Sequence, residues 1–281
     1  MSTEHSNNRP WLALDLDGTV LNRDHQISPE LLAAIQAIAR DYLVLIVTGR
    51  HHVAALPYYQ ALGLETPMIC CNGSYLYDVQ QGAFIEPKPI GQAIAERFLE
   101  QLLDAQLRPV LYNQDGMWFL QHNPPHYIRE LVDWTLQFPA QHRPLVQACD
   151  DLVQKLESSQ YVWKLVVEGD NLDPVSQDPW VMENLNGERS WHNRIDFAAP
   201  GNSKGHALTQ FAQQQQLDLT QLTTVGDNHN DLSMFAISGR SIAMRNAEPA
   251  VQKAATEVSA FDHHHPTGLA ERLQALFPTA N

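Results

Sequence analysis

The chain has 281 residues, 44% of them hydrophobic, which suits one large folded domain or two modest ones and excludes a disordered chain. Its 32 acidic and 18 basic residues leave a formal charge of -14, a surface that repels phosphate backbones and argues against nucleic acid as a general partner. No stretch approaches a membrane span, and the first ten residues, MSTEHSNNRP, lack the apolar centre of a signal peptide. With three cysteines (Cys70, Cys71, Cys149) in no metal-ligand spacing, the expectation is a cytoplasmic protein with reduced thiols and no membrane partner.

In chain order, residues 11–17 (WLALDLD) come first, an apolar run that stops at Asp15 and Asp17 before Gly18 and Thr19. Alone, this reads as a turn as readily as a site. Ser28 and Pro29 then open a helix as N-cap and first helical residue, with Leu31, Ile35 and Ile38 on one face. Residues 42–47 (YLVLIV) end in Thr48-Gly49-Arg50, and a helix over 52–62 is closed by Gly63. Residues 67–71 (PMICC) end in Asn72-Gly73. After the middle of the chain, a helix over 203–216 turns Leu208 and Phe211 inward, and residues 222–225 (LTTV) end in Gly226-Asp227. Four apolar runs separated by helices predict an α/β fold, a doubly wound, Rossmann-like parallel sheet containing all four. Ligands of such sheets sit beyond the carboxyl ends of the strands, where every polar cluster of this chain falls.

The middle carries antiparallel signals. Residues 109–112 and 117–120 flank Asp115-Gly116 as a hairpin. A helix is expected over 126–137, a strand over 161–167, and another ending near Ile195, Asp196 and Phe197. The predicted organisation is a core of residues 1–83 and 197–281 with an α+β domain, 84–196, inserted between them. Pro87, Pro89, Pro200 and Gly201 fall near the junctions.

A carboxylate at the tip of a buried strand is rigidly aimed, as a nucleophile must be. Asp227 and Asp231, in GDNHND, bring two more carboxylates to the same rim, where they repel unless a cation sits among them. Oxygen-only donors favour Mg²⁺ over zinc. Calcium EF-hand spacing fails, because the glycine of DLDGT comes too early and the sixth residue from Asp227 is Leu232. Opposite the acids stand the Thr48 hydroxyl and Lys204, in GNSKG, at the start of a helix where an anion is favoured. The spacing is not that of a P-loop. A metal, a carboxylate, a hydroxyl and a lysine around one anion is the set that phosphoryl transfer requires.

DLDGT, TGR after an apolar run, SKG and GDNHND, in that order, resemble the haloacid dehalogenase superfamily over nearly the whole chain. ICCNG and AMRNA bring the resemblance closest to its Cof-type hydrolases with a class IIB cap. The resemblance implies Asp15 as the nucleophile that becomes a phospho-aspartate. It implies Asp17 as the acid toward the leaving alcohol and then the base for water. It further implies phosphate binding by Thr48, Lys204, Asn230 and the main-chain N–H groups of Leu16 and Gly49. Mg²⁺ would be held by Asp15, the carbonyl of Asp17 and Asp227, with Asp231 supporting the metal shell or Lys204. An acid at position 17 favours phosphate esters over organic halides, since only an alkoxide needs a proton. VTGRHHVA, YYQAL, ICCNG, GNSKG and SWHNRIDFA are similar to bacterial pyridoxal phosphate phosphatases of this group, which implies pyridoxal 5'-phosphate as substrate. Sugar phosphates, or a phosphomutase or phosphotransferase reaction, are the alternatives; all make the partner a small phosphorylated metabolite. A non-catalytic phosphate sensor would not need both Asp15 and Asp17.

In the cap, Trp118, Trp163, Lys164, Trp191 and His192 either contact substrate or pack a core, packing being the stronger expectation for the tryptophans. His51 and His52 either assist phosphate binding or pack a helix face. Arg245, where the resembled enzymes usually have glycine, is expected to face solvent. The run His263-His264-His265 is expected to be a solvated loop and not a metal site.

Overall fold

The computed structural model describes residues 9–140 and 143–279. The chain opens with β1 (Trp11–Leu14), α1 (Pro29–Asp41), β2 (Leu43–Ile46) and α2 (His52–Leu62), followed by β3 (Met68–Cys70), β4 (Tyr75–Asp78) and β5 (Ala83–Ile85). It continues with α3 (Gln92–Asp104), β6 (Arg108–Asn113), β7 (Met117–Leu120), α4 (Ile128–Thr135), β8 (Val146–Cys149), α5 (Leu152–Glu157) and β9 (Val162–Glu168). Two short helices, α6 (Asp173–Ser176) and α7 (Pro179–Asn184), precede β10 (Asn186–Trp191) and β11 (Arg194–Ala198). The last part holds α8 (Lys204–Gln215), β12 (Leu222–Gly226), α9 (Leu232–Phe235), β13 (Arg240–Ala243), α10 (Pro249–Ala254), β14 (Glu257–Val258) and α11 (Gly268–Leu276).

Two compact units result: the described parts of Met1–Arg50, Ala55–Ile85 and Ser203–Asn281, and a second unit of His51–Ala54 with Glu86–Asn202. Limits drawn from the sequence at 83/84 and 196/197 thus fall at 85/86 and 202/203, and the second unit also takes His51–Ala54. One reason is plain: β11 runs on to Ala198 and pairs along its length with β9.

In the first unit the sheet order is β14-β13-β12-β1-β2, all parallel. Trp11, Leu12, Ala13 and Leu14 are all buried, as a strand covered on both faces must be. α1 begins as its sequence dictates, the Ser28 hydroxyl accepting the Leu31 N–H at 3.2 Å with Pro29 at the first position. Its buried Leu31, Ile35 and Ile38 each contribute about 1.5–3 kcal/mol of burial. A second apolar set, Trp11, Leu45, Ile69, Leu208, Phe211 and Met234 among it, forms the core with α8 and α9.

One strand departs from the sequence reading. β3 is not a member of the parallel sheet; it pairs antiparallel with β4, and β4 with β5, in a separate three-stranded sheet. Its link to β2 is a single parallel bridge, Val47 to Ile69, with the Thr48 N–H donating to the Ile69 carbonyl at 2.9 Å. The second unit is a six-stranded sheet ordered β10-β11-β9-β6-β7-β8, antiparallel except for β7 with β8. Phe98, Leu99 and Leu102 of α3 pack on Leu165, Val167 and Phe197 of that sheet. The Asp115-Gly116 hairpin forms, with Asn113 Oδ1 accepting both turn N–H groups.

Candidate active site

Strand register assembles the site. Leu14 lies level with Val225 on one side and Ile46 on the other, so the residues after each strand emerge together. The ladder runs on one step, with Asp15 N–H to Val225 O at 3.0 Å and Val47 N–H to Leu14 O at 2.9 Å. Asp15, Thr48 and Asp227 therefore share one rim, and α8 adds Lys204 at its first position behind the Ser203 cap.

Lys204 is fully buried, and its Nζ donates to Asp15 Oδ1 at 2.7 Å and Asp231 Oδ1 at 2.6 Å. These two carboxylates hold the Lys204 ammonium well above its usual range despite burial. The Asp15 carboxyl is held well above its ordinary range. Burial pushes it up, and although Lys204 pulls it down, Asp231, Asp227 and Asp17 push it up further. Asp15 Oδ2 has no hydrogen-bond partner among the described residues.

Asp227 is raised to about 7, by burial first and the Asp231 carboxylate second, with Lys204 and Thr19 opposing. Its oxygens accept from Thr19 Oγ1 at 3.3 Å and Asn246 Nδ2 at 3.0 Å. Asp231 spends both oxygens inside the protein: Oδ1 on Lys204, Oδ2 on the N–H groups of Asp227 (2.8 Å) and Asn228 (3.0 Å). It therefore braces Lys204 and the loop. Oxygens of Asp15, Asp227 and Asp231 lie within 4.8 Å of one another, the only such acidic or histidine group among the described residues. Asp15 and Asp227, carboxylates with no sulfur or imidazole donor beside them, fit a hard divalent cation, with Asp231 behind them.

Asp17 does not join that group through its carboxylate. Arg50 clamps it, Nε to Oδ2 at 2.7 Å and Nη2 to Oδ1 at 2.6 Å, and His25 Nδ1 lies 3.1 Å from the same Nη2. The clamp overrides partial burial and holds Asp17 far below the usual carboxylate range. Asp17 is thus ionised here; to act as an acid it must first be released by Arg50.

Thr48 is fully buried, and its hydroxyl accepts the Arg50 N–H at 3.1 Å, leaving the hydroxyl hydrogen without an acceptor among the described residues. The Leu16 N–H likewise carries no hydrogen bond to any described residue. Asn230 Nδ2 donates to Asn72 Oδ1 at 3.1 Å, while its own Oδ1 is buried without a partner among the described residues. Gly18, at φ +73°, is required where it stands, since a Cβ there would lie 2.1 Å from Asp227 Oδ2.

The remaining candidates lie in varied surroundings. His51 is fully buried; its Nε2–H donates to the Asn113 carbonyl at 2.6 Å and its Nδ1 accepts the Val53 N–H at 3.3 Å. Burial lowers it to about 4, and lowers His52 to about 2, so both are neutral near pH 7. Trp163 is fully buried and stacked on Tyr161, and Lys164 is buried beside Asp196. Trp118 is half-buried, its Nε1 donating to Asn113 Oδ1, whereas Trp191 is 60% exposed and His192 is exposed. Arg245 is exposed on the Ala260 carbonyl. His263, His264 and His265 lie in a loop whose Asp262 accepts the His264 N–H at 2.9 Å. Arg50, Asn246 and Thr19, which the sequence reading gave no role, are the additions; TGR, AMRNA and DLDGT contained them.

A family model of haloacid dehalogenase-like hydrolases matches residues 12–273. The chain is 37% identical over 254 residues to the pyridoxal phosphate phosphatase YbhA of Escherichia coli K12, covering 88% of this chain and 92% of that protein. A haloacid dehalogenase-like hydrolase from Bacteroides thetaiotaomicron superposes with a TM-score of 0.83 at 20% identity, over 96% of this chain and all (100%) of that one. The subclass IIB sugar phosphatase BT4131 gives 0.77 at 18%, over 95% and 98%. The chain belongs to the haloacid dehalogenase-like hydrolases and has their fold. Within that superfamily it is an enzyme of the phosphatase type.

Among the described residues, no helix is long and apolar enough to cross a membrane.

Proposed function

We propose that the enzyme is a Mg²⁺-dependent phosphatase of small phosphomonoesters, working through a phospho-aspartate on Asp15, with pyridoxal 5'-phosphate as its preferred substrate. The observation that carries the chemistry is the buried Asp15–Lys204–Asp231 array beside Asp227. Support for the substrate is the extent and identity of the likeness to a pyridoxal phosphate phosphatase. The cytoplasm is the location that goes with a small metabolite and with Cys70, Cys71 and Cys149 as reduced thiols.

Lys204 fixes Asp15 Oδ1, which leaves Oδ2 to attack phosphorus. The P–O ester bond breaks as the Asp15 O–P bond forms, and the departing alkoxide takes a proton from Asp17. Water then attacks the same phosphorus, Asp17 takes its proton, and the Asp15 O–P bond breaks to release inorganic phosphate. The first step needs Asp17 protonated, and the second needs it ionised. Arg50 stabilises the ionised form, so its guanidinium must leave Asp17 before the first step, and the arriving phosphate is an anion able to take it. Thr48 Oγ1, Lys204 Nζ, Asn230 and the N–H groups of Leu16 and Gly49 bind the equatorial oxygens. Asp15, Asp227 and the main-chain carbonyl of Asp17 would hold Mg²⁺, which supplies neutralising charge for the phosphate and the clustered carboxylates.

Two results are expected. Inorganic phosphate is released from pyridoxal 5'-phosphate faster than from a panel of sugar phosphates, with Mg²⁺ and not with a chelator. Release from sugars alone would retain the site and reject the pyridoxal ester; transfer to an added alcohol without free phosphate would favour a phosphotransferase. The second concerns pH. Asp227 ionises near 7 when folded but near 3.8 when unfolded, so metal-free protein loses stability as pH rises between these values. Below about 7 a cation must displace that proton. The melting temperature should therefore rise more with Mg²⁺ at pH 8 than at pH 5. An equal rise at both would contradict the assignment of Asp227.

A further inference from the structure

The turn after β3 holds two successive non-glycine residues in the left-handed region, Cys71 at φ +48° and Asn72 at φ +55°, with Gly73 at φ +90°. Cysteine has no preference for that conformation, so the surroundings must impose it. What it secures is visible in three neighbouring loops. The Cys71 N–H donates to the Arg50 carbonyl at 3.0 Å and the Asn72 N–H to the Thr48 carbonyl at 3.1 Å. The Asn72 side chain accepts from Asn230 Nδ2 at 3.1 Å. It also lies so close to Gly49 that a Cβ there would come within 2.9 Å of Asn72 Oδ1. Gly73 packs where a Cβ would be 2.3 Å from the Ser203 carbonyl, one residue ahead of Lys204.

We propose that Asn72 is a positioning residue for the phosphate site. Its main-chain N–H holds Thr48 while the neighbouring Cys71 N–H holds Arg50, and its side-chain oxygen ties Asn230 to that loop, so donors from two strand ends converge on one anion. The inference rests on the phosphate reading above but not on which organic ester is cleaved.

Inorganic phosphate is the probe, its binding measured by calorimetry in Mg²⁺ buffer, beside melting temperatures. The proteins are wild type, N72A, N72G, N230A and the N72A/N230A double variant. Glycine accepts the left-handed conformation freely, so N72G should melt no lower than wild type; any lost affinity then belongs to the side chain. N72A and N72G are each expected to weaken phosphate about tenfold, and the double variant should bind no worse than N230A alone. Wild-type phosphate affinity in N72G, or losses that multiply in the double variant, would overturn the positioning role. Failure of the wild type itself to bind phosphate would overturn the phosphate reading, and this inference with it.

Discussion

Asp15→Asn is expected to lower turnover by about 10³-fold or more while the protein stays folded. Asparagine keeps the shape of a side chain that is 4% exposed, and its amide cannot form the phospho-aspartate. Two opposed effects set stability. The folded protein raises the Asp15 carboxyl, so ionised Asp15 costs stability at neutral pH, and a neutral amide removes that cost. Against this, Lys204 loses one of its two anions. A melting temperature within a few degrees of wild type follows, together with an essentially inactive enzyme in a phosphate-release assay. A variant retaining more than about a tenth of wild-type turnover would rule out Asp15 as nucleophile.

Lys204→Met is expected to be the most destabilising single change at the site. The ammonium has no exposure and lies between Asp15 and Asp231, so methionine leaves two buried carboxylates facing each other without a cation. Breaking a buried ion pair from one side costs about 3–5 kcal/mol, a fall of roughly 10 °C in melting temperature for a chain this size. The Lys204 pKa is raised on folding, so its stabilisation is fully present below its unfolded pKa and is lost only as pH rises through the folded value. At pH 7 the wild type therefore has all of it, and the deficit of the variant should shrink toward pH 5 as the facing carboxyls take up protons. Turnover should fall by at least about 10²-fold. Thermal melts at both pH values check this; an unchanged melting temperature at pH 7 would mean that the pair is not a stabilising contact.

The site was legible because its residues end strands. The apolar runs of β1, β2 and β12 are almost wholly buried, so Asp15, Thr48 and Asp227 are the first polar side chains past the carboxyl edge. Ser28 announced α1 by ordinary capping chemistry, whereas Ser203, included in the helix expected over 203–216, proves to be the cap of α8. Elsewhere local pattern and global arrangement part. β3 is as apolar as its neighbours, and only its partner β4 assigns it to another sheet. β13 begins exposed, β14 has two residues and β10 is largely polar, so none has the period of a strand. The pairing of Arg50 with Asp17 spans 33 positions, and that of Asn246 with Asp227 spans 19. No local signal reaches so far. The left-handed turn at Cys71 was hidden for a different reason, because residue type argues against it.

The central claim is a covalent intermediate on Asp15. Wild-type enzyme mixed briefly with phosphorus-labelled pyridoxal 5'-phosphate and quenched in acid should carry label in the peptide that contains Asp15, removable by hydroxylamine as an acyl phosphate is. D15N should carry none. Rapid turnover with no protein-bound label at any quench time, or stable label on a peptide lacking Asp15, would contradict the account.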